Sequence, residues 1–160
     1  MPVYFVTFTC YGTWLHGDAR GSHDRKATSL ARKILSPDQR LEAEMRRRMN
    51  RPAMALSGPM RKVVREAILE HVSFRGWELR ELNVRSNHVH LVVLADADGS
   101  RVLNSVKARA TRALREERLV ARDQPVWSER GSYSLLESAK DAADASEYVR
   151  NGQGPDLPDD

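Results

Sequence analysis

The chain has 160 residues, 41% hydrophobic and 30% charged, with 26 Lys and Arg against 22 Asp and Glu and a net charge of +4. These figures fit one soluble globular domain large enough to bury a core. They exclude an internal disulfide, because Cys10 is the single cysteine, and a membrane span, because every apolar run is short.

The start, "MPVYFVTF", lacks the basic opening and long apolar core of a signal peptide. With one cysteine, a reducing cytoplasmic setting is expected. Residues 3–9, "VYFVTFT", are β-branched and aromatic and predict a strand. "CYGTWLHGDARGSHDR" follows as a glycine-containing loop. Ser36 and Pro37 predict a helix start, but the helix behind them is polar and ends in the basic "MRRRMNRP", so residues 17–57 read as an excursion from the core. Met60, Val63, Val64, Ala67 and Ile68 recur at helical spacing and predict an amphipathic helix over 60–74, ended by Gly76. "WELRELNV" (77–84) predicts a strand, "RSN" a tight turn, and 88–94 the next strand. A second amphipathic helix is expected over 101–118, and a fourth strand in "VWSERGSYSLL", bent at Gly131. Ser138 then caps a last helix over 139–150, and residues 151–160 form an acidic tail.

Leaving aside the excursion, the first six elements run β-α-β-β-α-β, the ferredoxin-like split, with an extra C-terminal helix. The fold class expected is therefore α+β with an antiparallel sheet, and the chain reads as a single domain over 1–160. In that arrangement the first and third strands are central. The third, "HVHLVVL", carries two of the five histidines, His88 and His90.

Strand side chains alternate, so both imidazoles point to one face, and Val89 and Leu91 to the other. Neutral imidazole is a common ligand of divalent cations, and two protein ligands leave coordination positions open for a substrate oxygen. The plainer reading is a pair of half-buried polar residues near a strand end. His71 falls on the helical face of Val64 and Ile68 and reads as partly buried; His16 and His23 sit in the glycine loop.

"SNHVHLVV" after a hairpin turn, in this element order, resembles the His-hydrophobe-His motif of the HUH endonucleases, and among them the single-tyrosine transposases, including REP-associated tyrosine transposases. "TFTCYGTWLHGDARGS" is similar to bacterial members of the same group, and the likeness covers roughly 3–12 and 58–153. The resemblance implies a single-stranded, hairpin-bearing DNA partner, a Mg2+ or Mn2+ cofactor held by His88 and His90, and a tyrosine nucleophile on the final helix. It leaves open whether the protein works as a homodimer, with the tyrosine serving its own chain or its partner's.

Of the four tyrosines, Tyr4, Tyr11, Tyr133 and Tyr148, only the last is on that helix. By helical arithmetic Tyr148 lies about 100° off the edge of the small apolar stripe formed by Ala139, Ala142, Ala143 and Val149. The resemblance makes Tyr148 the catalytic residue. It also implies an Asn or Gln four residues later as third metal ligand. That position is Gly152, flanked by Asn151 and Gln153; Gln153 is favoured because glycines on both sides let the chain curl back. Glu147 reads as pointing away from the Tyr148 side.

Along the second helix, Arg101, Lys107, Arg112, Arg115 and Arg118 fall within an arc of about 140°, opposite the apolar face. They are the candidate nucleic-acid-binding residues, set against the reading of an ordinary solvated face. "RRRMNR" (46–51) is a second candidate. Trp14, Trp77 and Trp127 could stack bases or belong to the core. Rival functions are a non-catalytic single-strand binder on the same fold and a metal enzyme unrelated to DNA. An RNA-recognition sheet is disfavoured, since the third strand carries no stacking aromatics.

Overall fold

The structure, a computed structural model, describes residues 1–13 and 53–152. The basic segment 46–51, Trp14, His16, His23, the helix expected after Pro37 and the tail from Gln153 lie outside these residues.

The described elements are β1 (Val3–Cys10), α1 (Gly58–Phe74), β2 (Glu78–Val84), β3 (His88–Leu94), α2 (Gly99–Glu116), β4 (Trp127–Leu136) and α3 (Ala139–Asn151). The strands form one antiparallel sheet in the order β2-β3-β1-β4. The protein is thus α+β, with β3 and β1 in the middle.

Pairing fixes which side chains share a face. Val6 stands opposite Leu91 and Phe8 opposite Val89; Thr7 stands opposite His90 and Thr9 opposite His88. The first set is buried: Val6, Val89 and Leu91 have no exposed surface and Phe8 only 1%. Helices α1 and α2 close over it with Val64, Ile68 and Val72 from one and Val102, Leu103, Val106 and Leu114 from the other. Gly131 is needed here, because a Cβ on it would sit 2.9 Å from Leu103 Cδ1 and 3.0 Å from the Thr7 carbonyl oxygen. The bend expected there coincides with a register shift between Phe8 and Cys10, opposite residues 128–130 of β4. Trp77 and Trp127 are core residues with their indole N–H groups satisfied, by Asp96 Oδ1 at 3.1 Å and the Lys107 carbonyl at 3.1 Å. The base-stacking role does not fit two buried indoles.

Helix α2 ends at Glu116, two residues before the expected end. Leu119 turns back onto the core, its N–H donating to the Leu114 carbonyl at 3.0 Å, and Arg118 takes a left-handed φ of 58° to allow it. Helix α3 begins where Ser138 accepts from the Asp141 N–H at 3.0 Å.

His71 is half-buried as expected, with Nε2 3.0 Å from Ser105 Oγ and its ring edge-on to Trp77. Burial, with Arg75 and Arg109 nearby, pushes its pKa down. The unfolded chain therefore takes up this proton first as pH falls, so stability present above the ordinary histidine range is lost on acidification through the lowered folded value. Urea midpoints measured between about pH 7 and pH 5 should fall with pH, and His71→Gln should flatten that slope.

Candidate active site

The second face of the sheet carries the chemistry. Phe5, Thr7 and Thr9 from β1, His88 and His90 from β3 and Asn83 from β2 share it by register. Helix α3 lies across it, mostly over β2 and β3. Ala142 and Val149 are its buried contacts. The Asn83 amide donates to the Val149 carbonyl at 2.9 Å, and Arg150 forms an ion pair with Glu81. These contacts fix the rotation of α3 above the histidines.

The imidazoles of His88 and His90 are neighbours, with ring centroids 4.6 Å apart. His90 is 8% exposed and stacks on Phe5 at 5.7 Å. Its Nδ1 lies 2.8 Å from Thr7 Oγ1. His88 Nδ1 lies 2.6 Å from Asn87 Oδ1. The Tyr148 ring meets His90 edge-on at 5.8 Å and Phe5 at 6.1 Å. The three residues, predicted from two separate stretches, are thus brought together. Tyr148 is 46% exposed, so its ring is open to solvent.

Helical arithmetic sets Tyr148 off the packing stripe, and the structure agrees: the buried contacts of α3 are Ala142 and Val149, while Tyr148 is 46% exposed. Its ring flanks the sheet face and touches Phe5 and His90 while half its surface stays open. Glu147 borders the same surface hollow as Tyr148, with Asp144, Asn151 and Gly152. Gln153, the favoured third ligand, lies outside the described residues, and Asn151 is exposed. Among the described residues no group of three or more His, Cys, Asp or Glu is placed to hold a metal ion. Two adjacent imidazoles whose Nδ1 atoms are both engaged still fit a divalent cation held at two protein positions.

Other nucleophiles are placed elsewhere. Tyr4 donates its hydroxyl to the Ala97 carbonyl at 2.8 Å, and Tyr11 packs against the core. Tyr133 sits edge-on to Tyr4 over the helical face. Burial pushes the Cys10 thiol up to about 12, which keeps it protonated and inert.

The basic candidates lie on α2, which packs on the helical face of the sheet, away from Tyr148 and the histidines. Arg101, Arg112 and Arg115 are exposed, although Arg112 is paired with Glu116 at 2.9 Å. Arg118 has left the helix, so it does not continue the arc. Lys107 is the clearest correction: it is half-buried, and its Nζ donates to the Ser128 carbonyl at 2.9 Å in the irregular part of β4. Burial lowers its pKa, with Glu129 opposing. It serves the β4 edge, where Ser128 Oγ in turn bonds Thr9 Oγ1 at 2.8 Å. Sequence reasoning missed Arg122, which borders a hollow with Thr111, Arg112 and Arg115.

The fold and this cluster define an α+β protein whose four-stranded antiparallel sheet carries two histidines and a tyrosine on one face. The IS200-like transposase family model matches residues 45–152, and the chain belongs to that family. Among solved structures, the chain is similar to a REP-associated tyrosine transposase bound to a REP hairpin. The likeness has a TM-score of 0.50 at 16% identity, over 92% of this chain. The chain spans 64% of that protein's length. It is also similar to a candidate transposase from Deinococcus radiodurans R1, with a TM-score of 0.47 at 14% identity, over 93% of this chain and 88% of that one. No curated protein matches the chain.

Gly152 bears directly on the tyrosine. A Cβ there would lie 2.7 Å from Tyr148 Cδ2 and 2.7 Å from the Tyr148 carbonyl oxygen. Gly152→Ala should therefore push the ring from its place beside His90. Nuclear Overhauser contacts between the Tyr148 and His90 rings should weaken while those of the core persist. Unchanged ring contacts would show that the glycine is not needed.

Proposed function

We propose that the protein is a metal-dependent endonuclease and strand transferase acting in the cytoplasm on single-stranded DNA. Tyr148 is its nucleophile and His88 and His90 are its cation ligands. The observation that carries this reading is the Tyr148 ring packed against His90, itself beside His88, in a member of a transposase family. We read residues 1–160 as one HUH-type domain and its strand order as the ferredoxin-like split. The hairpin held by the REP-associated transposase supports a hairpin-bearing substrate.

The chemistry is a phosphoryl transfer. Tyr148 Oη attacks the scissile phosphorus, an O–P bond forms, and the bond to the 3' oxygen breaks. The phenol proton passes to solvent, the departing 3' oxygen is protonated, and a 5'-phosphotyrosine remains. A neutral phenol is a weak nucleophile, so the charge developing on the phosphate must be offset. A cation at His88 and His90 would supply that Lewis acidity. Asn83, Arg150 and Val149 hold the tyrosine helix in register with the histidines. Because the covalent link conserves the bond energy, the strand can be rejoined by a 3' hydroxyl with no nucleotide cofactor. Gln153 is proposed as a third ligand. The two-histidine set seen among the described residues favours one second reading, a non-catalytic single-strand binder.

The variants separate the two. Tyr148→Phe should abolish the covalent protein–DNA adduct, read on a denaturing gel with labelled single strands and manganese, and leave affinity nearly intact. An adduct of undiminished yield would remove Tyr148 from the mechanism. His88→Ala and His90→Ala should each abolish cleavage, and the double variant should be scarcely worse than either, since the pair acts as one unit. Binding without any adduct in the parent protein would favour the second reading.

We also propose that Arg101, Arg112 and Arg115 contact phosphates of DNA flanking the cleavage point. Binding should then weaken with salt, with a log–log slope of about −0.7 per phosphate neutralised. Arg115→Ala should lower that slope by less than one unit for every sequence. Arg109, partly covered and 3.8 Å from Glu70 Oε2, should matter less, and so should Lys107. Equal shifts from Arg109→Ala and Arg115→Ala would make α2 an ordinary solvated face.

A further inference from the structure

We infer that Asn87 and Thr7 are positioning residues for the histidine pair: Asn87 sets which ring nitrogen of His88 carries the proton, and Thr7 supports whichever tautomer His90 takes, so that Nε2 of each ring can serve the cation. The inference rests on the proposed cation site and concerns residues outside it. Two imidazoles on one strand face are not by themselves a ligand pair. Each neutral ring exists in two tautomers, and only the one with its proton on Nδ1 offers Nε2 as a donor atom to a metal.

Asn87 acts in one direction. Its Oδ1 lies 2.6 Å from His88 Nδ1, and an amide oxygen can only accept, so this contact favours the neutral tautomer with its proton on Nδ1 and its lone pair on Nε2. The asparagine can do this because its backbone is pinned. The Cys10 N–H donates to the Asn87 carbonyl at 2.8 Å, the Leu56 N–H to the Ser86 carbonyl at 2.7 Å, and the Arg85 N–H to the His88 carbonyl at 2.8 Å. The turn between β2 and β3 is thus clamped from three sides, which holds the short amide arm against the next residue's ring.

Thr7 acts differently. Its hydroxyl lies 2.8 Å from His90 Nδ1 and can donate or accept. It therefore follows the tautomer of His90 and does not impose one. When Nε2 of His90 binds a cation, Nδ1 carries the proton and Thr7 accepts. When no cation is bound, Thr7 can donate to Nδ1 and the ring can switch. His90 is 8% exposed, so loss of the hydroxyl would leave its Nδ1 without this protein partner and little water to replace it. The two supports thus differ in kind: one histidine is preset and the other adapts.

The test reads the tautomers directly and without metal. Long-range proton–nitrogen spectra of the full-length, metal-free protein should show His88 with its proton on Nδ1. Asn87→Ala should mix its tautomers, and Asn87→Asp, which keeps the acceptor, should preserve the single one. Titration calorimetry with manganese should show affinity falling about 10- to 100-fold in Asn87→Ala. Thr7→Val should lower it by a smaller factor, and Thr7→Ser should restore it. A His88 proton on Nε2 in the parent protein, or loss of the single tautomer in Asn87→Asp, would overturn the inference, because the amide would then be donating. Manganese affinity unchanged in both Asn87→Ala and Thr7→Val would overturn it as well. If the parent protein binds no manganese while Asn87→Ala still mixes the tautomers, the cation site fails and the positioning by Asn87 stands.

Discussion

Everything at the proposed site depends on one backbone rule, that neighbouring side chains of a strand leave on opposite faces. β3 is central, so both of its faces must be used. Val89, Leu91 and Val93 anchor the helical side without any exposed surface. His88 and His90 are then committed to the other side, whatever the rest of the chain does. A slip of one residue in register would bury two imidazoles under α1 and α2 and expose three core residues. The apolar core and the histidine pair are therefore specified by the same pairing, and the core's preference for one register also holds the site in place.

The histidine face is covered only in part. Helix α3 buries Ala142 and Val149, two small contacts, and is then tied by the Asn83 amide and the Arg150 ion pair with Glu81. A larger apolar stripe would have held the helix more firmly but closed the face. Beside these small residues the Tyr148 ring reaches Phe5 and His90 while staying half exposed. The weak apolar seal and the accessible tyrosine are two aspects of one packing choice. Charge is arranged in a matching way. Asp144 and Glu147 border the tyrosine, whereas the exposed arginines of α2 lie on the helical side of the sheet. A polyanion is not drawn to the tyrosine by α3 itself. A strand that contacts α2 and also reaches Tyr148 has to pass around an edge of the sheet.

The fold was largely legible because its elements are short, periodic and capped by readable residues. Ser138 and Gly76 mark helix ends, and β3 stands out as an apolar run with two histidines. Histidines and tyrosine were legible as residue types, but their meeting was legible only through the resemblance, since it depends on how α3 is rotated by Asn83 and Arg150, neither of which belongs to a periodic pattern. The basic arc was read less well, for two physical reasons. Helical spacing treats every side chain as pointing outward, yet a lysine can lay its stem over the sheet, as Lys107 does to reach Ser128. Spacing also assumes that the helix continues, and Leu119 ends α2 by returning to the core at the cost of a left-handed Arg118.

Gly152 shows how one position can serve two incompatible ends. An amide side chain one turn after the tyrosine would add a ligand near the histidines. It would also bring a Cβ to 2.7 Å from the tyrosine's own ring as that ring is now placed. With Tyr148 against His90, the i+4 position must be bare. With a ligand at i+4, the ring must stand elsewhere. The chain has taken the first option, and its nearest amides, Asn151 and Gln153, are at the neighbouring positions. A side chain at i+3 or i+5 leaves the helix about 100° away from one at i+4. The ring position and the ligand position are thus coupled through a single residue, and the placement of Tyr148 in this structure is the consequence of that residue having no side chain.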